Sequence, residues 1–158
     1  MTKKLLTAVL ITMMVVSALA ACAPAPAQTE QAAWSVEVKG AEKDAFTSAD
    51  YAKLDPVTID TVLKTKDGTQ ADEAWQGVLL KDVLNELGVK DYTSITLEAS
   101  DGYAKDYTPD IVNDDQTILG TVVNGKALTQ EDGYVCAVPA SQPGNMRVKL
   151  LVKITVNE

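Results

Sequence analysis

Alternation of apolar and polar residues along the chain predicts a protein built mainly from β-strands. Residues 34–40, WSVEVKG, alternate in this way, as a strand does when only one of its faces is buried. Asn124 and Gly125 separate two further segments and are a strong signal for a two-residue hairpin turn. The strand-like segments are 34–40, 57–66, 94–99, 117–123, 126–128, 133–140 and 147–156. The sequence thus predicts about seven strands.

One segment, residues 77–88, has the apolar spacing of a helix, and Gly88 suits its C-terminal end. Trp75, just before this helix, is predicted to anchor the core. Shorter helical turns are predicted over residues 47–54 and 108–112. The apolar residues on one face of the main helix are Leu80, Val83, Leu84 and Leu87. The predicted fold class is therefore α+β, mainly β, with about seven strands and one main helix.

The first 22 residues predict export from the cytoplasm. Lys3 and Lys4 precede an apolar run over residues 5–21 that ends in small residues before Cys22, as in a cleaved signal peptide. The letters LAAC resemble a bacterial lipobox, in which the cysteine becomes the lipid-carrying N-terminus. An uncleaved anchor is a second interpretation, although the run is shorter than the roughly 20 apolar residues of a spanning helix. A soluble secreted protein is a third, although it would need no cysteine here. All three place the rest of the chain outside the cytoplasm.

The chain divides into three parts by composition. Residues 1–21 form the predicted lipoprotein signal peptide, and residues 22–33 form a lipidated Cys22 and a flexible tether of Ala, Pro and Gln. Residues 34–158 suit one domain with one core. The formal net charge is −8, and it becomes −10 once the two lysines of the signal peptide are lost. This charge opposes binding to nucleic acid. The predicted membrane contact is the lipid on Cys22, which places the protein at the cell surface or in the periplasm.

Cysteine and histidine usage excludes several kinds of chemistry. The sequence contains no histidine, which excludes Ser-His-Asp and Cys-His nucleophile systems, His-based zinc sites and a c-type haem. If Cys22 is lipidated, Cys136 has no partner for a disulfide. Cys136 lies within the strand-like letters YVCAV, where a cysteine is predicted to pack as a small buried hydrophobe rather than to bind a metal. A covalent hydrolase is therefore not expected.

Four segments, in their order along the chain, resemble a known family. They are WQGVLLKDVLNELGV, ITLEASDGYAKDYTP, TILGTVVNGKALTQEDGYVCAVPA and RVKLLVKITV. In this order they resemble the molybdopterin-binding domain of the sulfite oxidase family over most of residues 34–158. The resemblance implies an extracytoplasmic oxidoreductase domain that holds molybdenum on a pterin dithiolene, that is, a molybdenum-molybdopterin cofactor. It also implies a separate redox partner protein, since the sequence has no haem or iron-sulfur motif of its own.

Three cations lie close together near the C-terminus, in SQPGNMRVKLLVKI: Arg147, which is the chain's single arginine, Lys149 and Lys153. The cofactor that the resemblance implies ends in a phosphate, and Gly-rich turns with Arg and Lys bind phosphates. In one interpretation, Asn145, Arg147 and Lys149 clamp this anionic tail. In the other, the cations lie on the solvent side of a strand. The inner face of that strand would be Val148, Leu150, Val152, Ile154 and Val156.

The sequence departs from the family pattern where the family's chemistry takes place. Thr65, in LKTKDG, stands where the family has its molybdenum-binding cysteine, and a threonine hydroxyl is far too weakly acidic to replace a thiolate at neutral pH. Thr121 stands in the place of the family's substrate-side tyrosine. The sequence therefore assigns no catalytic residue and no metal ligand.

Two function classes remain open at this point. The first is a molybdenum-cofactor oxidoreductase, or a subunit of one, tethered outside the cytoplasm and with its catalytic cysteine replaced by Thr65. The second is a lipid-anchored binding module that kept the fold but lost the metal ligand. Fold-level features do not separate the two classes, because one fold hosts many functions.

Overall fold

The computed structural model describes residues 33–64, 68 and 70–158 of the chain. The predicted signal peptide, Cys22, the tether up to residue 32 and Thr65 lie outside the described residues. None of the helices in the described part is long and apolar enough to cross a membrane.

The described residues form ten strands and three short α-helices. The strands are β1 (Ser35–Lys39), β2 (Ala45–Thr47), β3 (Val57–Lys64), β4 (Gln70–Leu79), β5 (Ser94–Ala99), β6 (Ala104–Tyr107), β7 (Thr117–Val123), β8 (Lys126–Ala127), β9 (Cys136–Pro139) and β10 (Leu151–Asn157). The helices are α1 (Ser48–Tyr51), α2 (Leu80–Glu86) and α3 (Pro109–Val112), and a 3₁₀ turn spans Gly144–Met146.

The strands pair into two sheets. The first has the order β2-β1-β10-β5-β6, in which β1 and β10 run parallel and the other neighbours antiparallel. The second has the order β3-β4-β7-β8, and β9 pairs with the other end of β7. Beyond β9, the chain forms one bridge, between Ala137 and Val148, before it enters the first sheet as β10. The segment before β10 therefore connects the two sheets.

Alternation along the strands of the second sheet divides its side chains between two apolar clusters. Leu119 and Ala137 face the larger cluster, which also contains the buried residues of the first sheet and of α2. Their neighbours Ile118 and Val138 face the other way, into a smaller cluster. The smaller cluster consists of Ile59, Trp75, Ile118, Cys136 and Val138. The second sheet is thus covered on both faces, and the site described below lies on the side of the smaller cluster.

The predicted fold class, α+β and mainly β, is confirmed. All seven predicted strand segments contain a strand, and the short helices α1 and α3 lie where helical turns were expected. The Asn124-Gly125 turn joins β7 to β8, and both residues have positive φ, 50° and 74°, as a type I′ hairpin requires. The structure adds β2, β4 and β6, which the apolar pattern did not indicate.

The main helix is shorter than predicted. Residues 77–88 were expected to be helical, but Gly77, Val78 and Leu79 complete β4 by pairing with β7. The helix begins at Leu80, and its buried face is the predicted apolar face. Pairing with a neighbouring strand outweighs the helical spacing of these three residues. Trp75, predicted as a core anchor, is buried within β4.

The C-terminal strand is also shorter than predicted, because the extended conformation of the backbone is interrupted at Leu150. Leu150 has a φ of 52°, in the left-handed region that non-glycine residues seldom adopt. The strand begins one residue later, so Leu151 is buried while Val152 is 41% exposed. The prediction of a single continuous strand from 147 to 156, with Leu150 and Val152 on its inner face, was therefore wrong.

Close approach of β4 to β7 gives a test of this packing. A Cβ at Gly77 would overlap the carbonyl oxygen of Leu119 and come within 2.8 Å of the Cα of Gly120. We expect Gly77→Ala to lower the free energy of unfolding by about 2 kcal/mol, because backbone on both sides must shift. Gly144→Ala is the matched control, since nothing lies within 4 Å of its added Cβ, and it should change stability by less than about 0.5 kcal/mol. Urea unfolding measures both, and equal losses would contradict the pairing.

Candidate functional site

A partly buried ion pair between Arg147 and Glu73 forms the centre of the candidate site. The Nη1 of Arg147 lies 2.8 Å from the Oε2 of Glu73, and the two side chains are 8% and 15% exposed. The Nη2 of Arg147 donates a hydrogen bond of 3.1 Å to the Oγ1 of Thr61. The guanidinium group is therefore held on two sides by the second sheet.

Trp75 lies beneath this ion pair and binds the same carboxylate. The guanidinium carbon of Arg147 is 5.3 Å from the centre of the indole ring, within the range of a cation–π interaction. The indole Nε1 of Trp75 donates a hydrogen bond of 2.9 Å to the Oε2 of Glu73. The hydroxyl of Thr61 approaches the same oxygen at 3.4 Å. One carboxylate oxygen thus receives three donors.

The β3–β4 hairpin places these groups on one face by strand alternation. Thr61 lies opposite Glu73, and Ile59 lies opposite Trp75, two residues further along each strand. The ring of Trp75 lies against Gly120 of β7, where an added Cβ would come within 2.7 Å of the ring atom Cε3. The lack of a side chain at Gly120 therefore makes room for the indole on which Arg147 rests.

The ion pair keeps Glu73 charged. Burial alone would raise the pKa of Glu73, but the hydrogen bonds from Trp75 and Arg147, with the charges of Arg147 and Lys149, outweigh burial and lower the pKa below its ordinary value of 4.5. A carboxylate with a lowered pKa stabilises the fold at neutral pH, and this contribution is lost as the pH falls through the folded-state pKa. Glu73 is therefore an anion under ordinary conditions, and it neutralises the charge of Arg147.

The segment that carries Arg147 is fixed by its backbone. Val148 exchanges two backbone hydrogen bonds with Ala137 of β9, at 2.8 and 3.1 Å. The hydroxyl of Tyr107 donates to the carbonyl oxygen of Met146 at 2.6 Å, and the hydroxyl of Tyr103 donates to that of Asn145. With Val148 turned into the core, Arg147 and Lys149 on either side of it face away from the core.

Two clefts lie beside the ion pair, and Lys149 lines both. The larger has a volume of about 410 Å³, and the smaller, of about 270 Å³, is floored by Trp75 and Cys136. Lys149 is exposed and forms no ion pair within the described residues. The larger cleft is lined by Ala99, Asp101, Tyr103, Gly144, Arg147, Lys149 and Leu150.

Of the predicted clamp residues, the structure brings Arg147 and Lys149 into one cleft with Gly144. Asn145 follows Gly144 and is exposed. Lys153, the third cation of the sequence cluster, lies in the first sheet and pairs with Glu98 of β5. The cations that are close in sequence thus separate into two environments.

Thr121, in the position of the family's tyrosine, is buried in β7. Its hydroxyl lies 2.9 Å from the hydroxyl of Tyr51, which comes from α1. Burial raises the pKa of Tyr51 above its ordinary value of 10, although the hydrogen bond to Thr121 acts in the opposite direction. Tyr51 therefore remains a neutral hydrogen-bonding group at this position.

Cys136 packs in the core, as predicted. Its side chain is 1% exposed within the smaller apolar cluster. Burial raises the pKa of the Cys136 thiol to about 12, and the charges of Arg147 and Lys149 reduce this effect only in part. A thiol with this pKa is neutral at pH 7. Within the described residues, no group of three or more His, Cys, Asp or Glu side chains could hold a metal ion.

Glu73 and Thr61, which bind Arg147, were not predicted from the sequence as site residues. Both lie on the β3–β4 hairpin, and β4 was not predicted as a strand. Once β4 is paired with β3, the alternating positions Glu73 and Trp75 fall on the face that also carries Thr61. Only the pairing register of the β3–β4 hairpin, and no local motif, indicates that Glu73 and Thr61 lie together.

The chain matches a family model and resembles solved structures in fold. The model described as an oxidoreductase molybdopterin binding domain matches residues 22–158. No curated protein sequence matches the chain. The crystal structure of the sulfane dehydrogenase SoxCD from Paracoccus pantotrophus is similar in fold, with a TM-score of 0.67 and 24% sequence identity. The match covers 78% of this chain but only 38% of that chain, so it concerns the fold and not the whole enzyme.

Removing the charge of Arg147 tests the ion pair. We expect Arg147→Ala to lower the free energy of unfolding by about 2 kcal/mol, because it leaves the partly buried carboxylate of Glu73 without a counter-charge. Combining Arg147→Met with Glu73→Gln should recover part of that loss. Lys149→Ala is the control, since this side chain is exposed and unpaired within the described residues, and it should cost less than about 0.5 kcal/mol. Similar losses for Arg147→Ala and Lys149→Ala in urea unfolding would mean that the ion pair contributes little.

Proposed function

The chain belongs to the oxidoreductase molybdopterin-binding domain family, and we propose that it is an extracytoplasmic, lipid-anchored oxidoreductase module, or a subunit of such an enzyme. In this proposal residues 34–158 hold a molybdenum-pterin cofactor, and a separate partner protein exchanges electrons with it. The family match over residues 22–158 is the observation that carries the cofactor part of the proposal, while the lipid anchor rests on the sequence pattern that ends at Cys22. The match covers only 38% of the SoxCD chain. The proposal therefore does not assign the substrate of that enzyme to this protein.

The residues around the larger cleft fit the anionic end of such a cofactor. Lys149 is an exposed cation there, and Arg147 has N–H groups beyond the two that bind Glu73 and Thr61. Gly144 leaves open space beside the backbone, and an exposed Asn145 follows it. Arg, Lys and glycine-rich backbone are the groups that bind phosphates. We therefore propose that Asn145, Arg147 and Lys149 form the anion clamp.

The residues described do not fit the metal end of the cofactor. Cys136 is only 1% exposed and packs within the smaller apolar cluster, and Thr65 lies outside the described residues. When bound, the cofactor would supply the redox centre, and the contribution of this chain would be to bind and orient the cofactor's anionic end.

A binding module without redox activity is the second candidate function. One observation favours it: the charge of Arg147 is neutralised by Glu73, which leaves Lys149 as the cation of the cleft. In this case the protein would use the cleft for a smaller anion or an anionic group of a partner, and no molybdenum would be needed. Both candidates share the lipid anchor and the same clamp residues.

Metal and pterin analysis distinguishes the two candidates. The full chain should be exported from a host that makes and delivers the molybdenum cofactor, and then purified as a folded protein. Under the first proposal we expect molybdenum and pterin at close to one per chain. We expect Lys149→Gln to reduce the content without unfolding the domain, because this cation is exposed.

Lys39→Gln is the matched control for that experiment, since Lys39 is an exposed cation of β1. Equal cofactor content in the Lys149 and Lys39 variants would contradict the clamp. A well-folded wild-type protein with neither molybdenum nor pterin would contradict the first candidate and favour the binding module.

Lipidation at Cys22 has a separate test. We expect the wild-type chain in the membrane fraction, with a mass that shows loss of residues 1–21 and addition of lipid. Cys22→Ser should prevent lipidation, whereas Cys136→Ser should leave it unchanged. An intact N-terminus in the membrane fraction would identify an uncleaved anchor, and an unmodified soluble protein would identify secretion. Fractionation followed by intact-mass measurement checks all three.

A further inference from the structure

We propose that Glu73 sets the affinity of the clamp for phosphate-type anions by occupying the donors that an incoming anion needs. This inference rests on the anion-binding role proposed above for Arg147 and Lys149, but it does not depend on molybdenum. Glu73 lies in a strand that no motif of the sequence singles out, and its role would be to determine specificity rather than to react.

The carboxylate of Glu73 occupies the place of a ligand oxygen. Its Oε2 receives Nη1 of Arg147 at 2.8 Å and Nε1 of Trp75 at 2.9 Å, with the hydroxyl of Thr61 at 3.4 Å. Arginine and indole N–H groups converging on one oxygen make a set of donors that would equally suit a phosphate oxygen. The chain's own anion therefore competes with any external one for Arg147.

The charge balance of the cleft supports this competition. In the larger cleft, Arg147 and Lys149 supply two positive charges and Asp101 one negative charge. Glu73, which lines the smaller cleft, supplies a second negative charge through its ion pair with Arg147. Asp101 accepts a hydrogen bond of 2.9 Å from the backbone N–H of Tyr103, which keeps it within its turn. On the other side of Lys149, Asp132 is bound by the backbone and hydroxyl of Thr129, and Glu131 lines the smaller cleft. Removing the charge of Glu73 would thus leave the larger cleft with a net positive charge.

Displacement of Glu73 would have a local signature. An anion that binds Arg147 directly must separate Glu73 from it or share its donors, and the same carboxylate oxygen accepts the indole N–H of Trp75. Binding at Arg147 should therefore alter the hydrogen bond of Trp75 as well. Trp34 lies in the larger cluster, packed against Phe46 and Tyr51, so its indole serves as an internal reference.

The first experiment measures binding of inorganic phosphate to the exported chain and to Glu73→Gln by calorimetry at constant ionic strength. The glutamine keeps an oxygen that can accept from Trp75 and Arg147, but it has no charge. We expect phosphate to bind the variant about tenfold more tightly than the wild type, because Arg147 is no longer neutralised. Adding Arg147→Gln to Glu73→Gln should abolish this gain.

Glu98→Gln is the matched control. Glu98 pairs with Lys153 in the first sheet, so this variant changes the net charge by the same amount away from the cleft. A similar gain in Glu98→Gln would assign the effect to overall charge and overturn the proposal. So would an unchanged affinity in a folded Glu73→Gln protein.

A second measurement uses the wild-type chain and does not depend on the folding of any clamp variant. The indole N–H resonance of Trp75, identified by its loss in Trp75→Phe, should move during a phosphate titration, while that of Trp34 stays in place. A titration that moves neither resonance, or both equally, would overturn the proposal.

The two proposals fail separately. Tighter phosphate binding by Glu73→Gln in a protein that takes up neither molybdenum nor pterin would support the role of Glu73 and contradict the cofactor. A wild-type protein that carries the cofactor, with no change in phosphate affinity in Glu73→Gln, would contradict the role of Glu73 alone.

Discussion

The partly buried ion pair between Arg147 and Glu73 is the constraint on which the arrangement of the site depends. A guanidinium that is largely removed from solvent needs a counter-charge and hydrogen-bond acceptors, and the β3–β4 hairpin supplies both through Glu73 and Thr61. Because Arg147 comes from the segment that connects the two sheets, the pair fixes that segment against the second sheet. The hydroxyls of Tyr103 and Tyr107, bound to carbonyl oxygens of the same segment, fix it from the side of the first sheet.

The same ion pair explains how an acidic chain presents a cation in one place. Arg147 is neutralised and serves mainly to hold structure, whereas Lys149, two residues later, is exposed and unpaired within the described part of the chain. An anion that enters the cleft meets the flexible, strongly hydrated charge of a lysine first. It reaches the planar guanidinium only in competition with Glu73. Family membership thus accompanies the fold, while the local charges determine which groups the cleft presents to an anion.

How far the sequence predicts this structure depends on burial. Strands with one buried face, such as β1 and β5, show clear alternation and were predicted, as was the hairpin at Asn124-Gly125. Most of β4 could not be recognised, because residues 70–72 and 74 are exposed and this part of the strand carries no apolar period. The missing strand concealed Glu73, since its contact with Arg147 spans 74 positions in sequence. Arg147 and Lys149 were recognised from residue type alone, but the neutralisation of Arg147 follows only from tertiary structure.

The break at Leu150 decides which cations face the cleft. In a continuous strand, Arg147, Lys149 and Lys153 would share one face with Leu151, and either an apolar residue would be exposed or the cations would be buried. The left-handed φ of Leu150 turns Leu151 inward, and a register shift between Leu151 and Lys153 then restores the alternation, so that Ile154 is buried and Lys153 pairs with Glu98. Gly133 permits the break, because a Cβ there would come within 2.5 Å of the Cα of Leu150. Gly133, which lies outside the larger cleft, is thus needed for the conformation of Leu150. The cost of the strained backbone at Leu150 is offset because Lys149 before it stays exposed and Leu151 after it is buried.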